Sequence, residues 1–185
     1  VHGQVVDHLS EDDTLLDRQI VAARQVFERE TGYQLLTAEW TAILDGFPRS
    51  ARVPGSAEPV ILGRRPLVSV EAIRYRDADG ASQTWDAAEY LVEATTSPRA
   101  TYGRIFPKVA FCYPDTDPLP GSVEIDFTAG YGTAAAVPED IRHALLVLVS
   151  HFYEHREAVV LGAVPMSLPL GLQHILSGHR GLVLA

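Results

Sequence analysis

The chain has 185 residues, 46% hydrophobic and 21% charged, a globular composition for one domain, or one domain with an inserted module, with a core of its own. Its formal net charge of -9 argues against a protein that grips nucleic-acid phosphates, because such proteins concentrate Lys and Arg to displace counterions; a conduit through which DNA slides unheld stays open. The single cysteine, Cys112, rules out an intramolecular disulfide and a thiolate cluster and suits a reducing compartment.

Ser10-Glu11-Asp12-Asp13 has the form of an N-cap followed by acids in a first helical turn, where free N–H groups and the helix dipole favour negative charge. The spacing predicts a helix from about Asp12 to Thr31, with a shorter helical piece over Gln4 to Leu9 ahead of it. Leu16, Ile20, Ala23 and Phe27 form its expected buried face, and Gly32 stands where a left-handed stop belongs.

From Gln34 to Gly132 the pattern changes to short alternating or β-branched runs broken by Gly, Pro and Asp. Strands are predicted at Leu35 to Leu44, Val60 to Leu62, Val68 to Arg76, Ser82 to Trp85, Tyr90 to Glu93, Arg104 to Phe106 and Val123 to Ala129. The last alternates Val123, Ile125, Phe127 and Ala129 against Glu124, Asp126 and Thr128, as in a sheet with one buried face. Asp77-Ala78-Asp79-Gly80 predicts a hairpin turn. It is no EF-hand loop, since the twelfth position from Asp77 is Ala88 where that loop needs a glutamate. Pro107 to Gly121 reads as a long irregular loop; within it Cys112, between Phe111 and Tyr113, is expected to be a packed thiol.

A second long helix is predicted from Pro138 to about Leu161, with Glu139 and Asp140 in its first turn. Its middle is apolar nearly all round, which fits burial within the monomer or contact with another subunit. The longest unbroken apolar run, Ala144 to Val149, is far shorter than the ~20 residues that span a bilayer, and a cytoplasmic origin without membrane attachment is expected.

The helix carries His151-x-x-Glu154-His155, the letters of an inverted zinc-peptidase motif, in which two histidines on one face bind metal and the glutamate activates water. No third ligand is fixed by spacing. A zinc-dependent hydrolase using His151, Glu154 and His155, and a monomeric β-rich binding module, are therefore alternative readings. The chain has no G-x-S-x-G elbow and no P-loop, and Gly130-Tyr131-Gly132 reads as a turn between sheet and helix.

Taken in order, Thr31-Gly32, Leu36-Thr37-x-x-Trp40, Leu44-Asp45-Gly46-Phe47-Pro48, Thr128-Ala129-Gly130-Tyr131-Gly132, Val137-Pro138 and His151-Phe152-Tyr153-Glu154 make the chain resemble the head-tail connector, or adaptor, proteins of tailed phages and gene transfer agents, in their longer form. The resemblance covers about Val5 to Arg180; it departs from the family at His155 and in the Gly178 to Ala185 tail.

What the resemblance implies is an α+β protein with an N-terminal helical part (1–33), an inserted antiparallel β-rich module (34–132), a long helix packed on the first (133–163) and a C-terminal arm (164–185). It implies a structural virion protein without catalytic residues or cofactor, made in the bacterial host cytoplasm. Such proteins form a closed ring of about twelve copies beneath the portal, extend the channel through which DNA passes without sequence-specific binding, and offer a platform to the stopper or tail. Applied to this chain, portal docking falls to Met166, Leu168, Leu170, Leu172, Ile175 and Leu176, part of which forms an apolar stripe on a segment too short to be helical alone. Subunit contacts fall to Val147, Val149, Glu154, Arg156 and Glu157.

Overall fold

The computed structural model describes residues 4–48, 58–94, 102–108, 112–154 and 176–179, with side chains from residue 13 onward. It contains helices and antiparallel strands, an α+β protein, divided into two compact units: Val1–Gly32 with Val137–Ala185, and Tyr33–Ala136.

In the first unit a single helix, α1, runs over Gln4–Thr31. The predicted start at about Asp12, behind an N-cap at Ser10, is thus corrected, and the separate piece over Gln4 to Leu9 is part of the same helix. An N-cap residue begins a helix only where the chain before it cannot continue one, and Gln4 to Leu9 contains neither Pro nor Gly. The predicted stop holds: Gly32 has φ 74° and its N–H reaches the Glu28 carbonyl at 3.0 Å.

The buried face of α1 also differs from expectation. Gln19, Ala23, Phe27 and Thr31 are buried, whereas Leu16 and Ile20 are 39% and 49% exposed. Steps of four residues keep the buried row on one side of the helix, and Thr31 enters it because its hydroxyl donates to the Phe27 carbonyl at 2.6 Å. The second helix, α2, spans Glu139–Glu154. Pro138 accepts its first backbone bond, from the Arg142 N–H at 3.0 Å, and Glu139 pairs with Arg142 one turn on. Ile141, Ala144 and Leu148 are fully buried, and α1 and α2 touch one another. The predicted extension to Leu161 lies outside the described residues.

The second unit holds two antiparallel sheets, built from β1 (Ala38–Leu44), β2 (Val60–Ile61), β3 (Leu67–Arg76), β4 (Ser82–Thr84), β5 (Tyr90–Glu93), β6 (Arg104–Pro107) and β7 (Val123–Ala129). Their orders are β1-β7-β3-β4 and β2-β6-β5. Central β7 pairs with β1 in the register Thr41 to Asp126 and with β3 in the register Ile73 to Ile125. Its alternation is the predicted one: Val123, Ile125, Phe127 and Ala129 are buried. They join Leu67 and Ile73, and Val60, Leu62 and Ile105 of the smaller sheet, in one shared core. The Asp77–Gly80 hairpin is present between β3 and β4, with φ 81° at Gly80; the Asp77 carboxylate accepts from the Asp79 and Ala81 N–H groups and from Gln83 Nε2.

Cys112 corrects a further expectation: it is exposed. In extended chain neighbouring side chains point oppositely, and here Tyr113 takes the inward position. Its ring stacks on Phe47 at 4.7 Å and lies 5.5 Å from Trp85. The Val60 N–H donates to the Tyr113 hydroxyl at 3.2 Å, and that hydroxyl is 2.8 Å from the Glu58 carbonyl and 3.0 Å from that of Ile105. Burial, offset in part by the bond from Val60, pushes the phenol up to about 12.

Candidate functional site

Two grooves in the β unit are lined by described residues, and neither brings together a nucleophile and a base. One of about 540 Å³, lined by Glu39, Trp40, Thr41, Glu71, Asp126 and Phe127, is acidic, and its Glu71 and Asp126 carboxylates have partners. Thr128 and Ser69 donate to Glu71 at 2.8 and 2.6 Å. Arg74 Nη1 lies 2.6 Å from Asp126, to which Thr41 also donates at 2.8 Å. These bonds, Arg74's foremost, hold the Asp126 carboxyl below its ordinary range, while Asp126 and then Glu124 raise the Arg74 guanidinium. The other groove, of about 220 Å³, places Arg74 and Arg76 near Ser122, whose hydroxyl is committed to the carbonyls of Asp117 and Leu119.

The Gly130–Gly132 turn is structural. Gly130 has φ 134°, and a Cβ there would stand 2.6 Å from Thr37 Cα, so only glycine lets the two backbones approach. Tyr131 then stacks on Tyr33 at 6.1 Å, and the Arg65 guanidinium lies over Tyr33 at 4.0 Å and Tyr102 at 4.9 Å. This column pins the places where the chain enters and leaves the β unit. Its sequence signal was four separated residues, which no local pattern connects.

The helices, like the β unit with its exposed Ile43, Val68, Leu91 and Leu119, also carry large apolar side chains on the surface. On α1, Leu16, Ile20 and Val21 are exposed at helical spacing; on α2, Leu146 is 65% exposed and Tyr153 is exposed two turns on. Val147 and Val149 are half-buried and Glu154 is exposed. Arg156 and Glu157 lie outside the described residues. Sequence reasoning assigned Leu16 and Ile20 to the interior and so missed them as surface; the step-of-four row through Gln19 and Thr31 was the signal that would have found them.

Of the zinc motif, His151 is half-buried and Glu154 exposed, and His155 lies outside the described residues. Among the described residues no three His, Cys, Asp or Glu side chains cluster as metal ligands, and no helix is long and apolar enough to cross a membrane. Of the C-terminal docking residues, Met166, Leu168, Leu170, Leu172 and Ile175 lie outside the described residues. Leu176–His179 are helical, and Leu176 is 2% exposed.

No protein-family profile matches the chain, and no curated protein matches it. Solved structures do. A chain of the virion of a native gene transfer agent particle aligns over 94% of this chain and 80% of its own length, at 24% identity and TM-score 0.69. One from the neck of an empty gene transfer agent particle, with C6 symmetry, aligns over 96% and 82% at 25% identity and TM-score 0.69. A third, from the neck of the native particle with C12 symmetry, aligns over 98% and 90% at 24% identity and the same TM-score of 0.69. Helices and sheets together therefore follow the fold of chains found in particle necks.

Proposed function

We propose that this chain is a structural protein of the neck of a phage-like particle of gene transfer agent type. More finely, it is the head-tail adaptor, which forms a ring of about twelve copies below the portal, extends the DNA channel and carries the stopper or tail. One observation carries the reading: a likeness over 98% of this chain and 90% of a neck chain in a C12 assembly, so that no large part of either is left for another role.

The surfaces support a working division of labour. The α1 and α2 faces bearing Leu16, Ile20, Leu146 and Tyr153 are apolar and exposed, as suits packing against copies of the chain, with Val147, Val149, Glu154, Arg156 and Glu157 at or beside the contact. The arm over 164–185 reaches the portal through Met166, Leu168, Leu170, Leu172, Ile175 and Leu176. The β unit over 34–132 either faces outward or meets the next ring toward the tail. Its acidic, internally paired sheet face carries no chemistry of turnover, and no catalytic residue, metal or cofactor is assigned. DNA would slide past a chain of net charge -9 without being held.

Size-exclusion chromatography with light scattering tests the reading, on the full chain and on one ending at Val164, each mixed with the cognate portal. Co-elution of many copies with the portal, lost on truncation, is expected. A full chain that never associates overturns it.

A further inference from the structure

We propose that the C-terminal turn Leu176–His179 is an intramolecular latch, docked on the helical unit in the free subunit and released when the arm engages the portal. The inference rests on the adaptor reading for the identity of the competing partner, but the latch is visible in the single chain. Leu176 is 2% exposed, among the most buried large side chains of the molecule. One turn later the His179 ring lies 5.7 Å from that of Phe27 on α1, tilted by 59°, and its Nε2 is 3.8 Å from Asp140 Oδ2 at the start of α2. The turn therefore touches both helices.

Even a helix of several turns is marginal alone in water, so the helical form of this segment depends on what it packs against. A leucine buried to this degree has no surface left for a second partner. Docking of Leu176 on the portal and docking on its own helices are consequently alternatives, and the binding-competent fraction of free subunits is the fraction in which the turn has lifted. The tether favours the closed state: a segment joined to its receptor by a short chain rebinds intramolecularly, at high effective concentration. Such an arrangement keeps Leu176 covered until a ring of portal sites offers more contact than the latch does.

His179 is outside the proposed portal contacts, so His179→Ala loosens the latch without altering the docking stripe; Asp140→Asn, on a side chain 63% exposed, loosens it from the other helix. Hydrogen exchange of the C-terminal segment from Leu176 onward in the free full-length protein reads the latch directly. Protection is expected in the parent, exchange about three- to ten-fold faster in His179→Ala, the factor that goes with loss of one ring contact, and a smaller increase in Asp140→Asn, whose exposed carboxylate pairs with His179 only when the imidazole is protonated. Association with the portal is expected to quicken by a similar factor. Amides that exchange in the parent as fast as in an unfolded peptide overturn the latch, whatever the portal does. Variants that open the turn yet bind the portal no faster than the parent overturn its role as a brake. Exchange that speeds up as expected while no form, parent included, binds the portal overturns the adaptor reading and the braking role together, and leaves the latch itself established.

Discussion

The two units build their buried rows differently. In the β unit, strand alternation sends Val123, Ile125, Phe127, Ile73 and Ile105 to one core, and the facing polar rows answer one another through Thr41, Asp126, Arg74, Thr128 and Glu71. In the helical unit α1 buries Gln19, Ala23, Phe27 and Thr31, half of them polar, while Leu16, Ile20, Val21 and Leu146 remain outside. The β unit likewise leaves Ile43, Val68, Leu91 and Leu119 outside, so exposed apolar side chains do not separate the two. What differs is the buried row itself: along β7 every member is apolar, whereas along α1 half are polar.

Removing volume from the core of the β unit costs most. Ile125→Ala leaves a cavity on the central strand and is expected to destabilise by about 2–5 kcal/mol in denaturant titration, with m unchanged. Tyr113→Phe strips the hydroxyl that accepts from Val60 and faces two carbonyls, and about 1–3 kcal/mol is expected. The same hydroxyl sets an alkaline limit. Its proton is held more tightly in the folded state, at about 12, than at the ordinary tyrosine value near 10. Tyr113 thus contributes stability that is whole below pH ~10 and falls away as pH rises toward the folded value, a slope that thermal melts should lose in the phenylalanine variant.

The acid side shows a smaller effect of opposite sign. Asp126 is held below its ordinary range by Arg74 and Thr41, so its contribution is whole above pH ~4 and is lost as pH falls through the depressed folded value. Asp126→Asn should flatten that limb of the melting curve. The smallest change in stability, within about 0.5 kcal/mol, is expected for Leu16→Ser with Ile20→Ser, since neither side chain is in the core. Loss of ring formation on the portal by this pair, with melting unchanged, would mark the helical face as an assembly surface; unchanged assembly would remove it from that role.

Strands were legible because period two needs only a few residues to declare itself: Tyr90–Glu93 and Val123–Ala129 fall at the predicted bounds, and the Asp-Gly turn between β3 and β4 carries its own chemistry. The helical faces were less legible. Leu16 and Ile20 look like core by residue type, and hydropathy cannot distinguish a side chain buried in folding from one kept for association. Thr31 looks like surface until its hydroxyl finds the Phe27 carbonyl. Cys112 and Tyr113 differ only in which parity of an extended segment faces inward, and the Tyr33, Arg65, Tyr102 and Tyr131 column depends on contacts between distant segments.

The Tyr33–Tyr131 stack sets what the β unit tolerates. Tyr33 opens that unit and Tyr131 stands five residues before its last, Ala136, so with rings 6.1 Å apart the excursion between them starts and returns at nearly one place. Loop-closure entropy grows only slowly with length, and each doubling of such an excursion costs about 0.6 kcal/mol. Loops inside it can therefore lengthen or be redecorated while its two ends stay where they are.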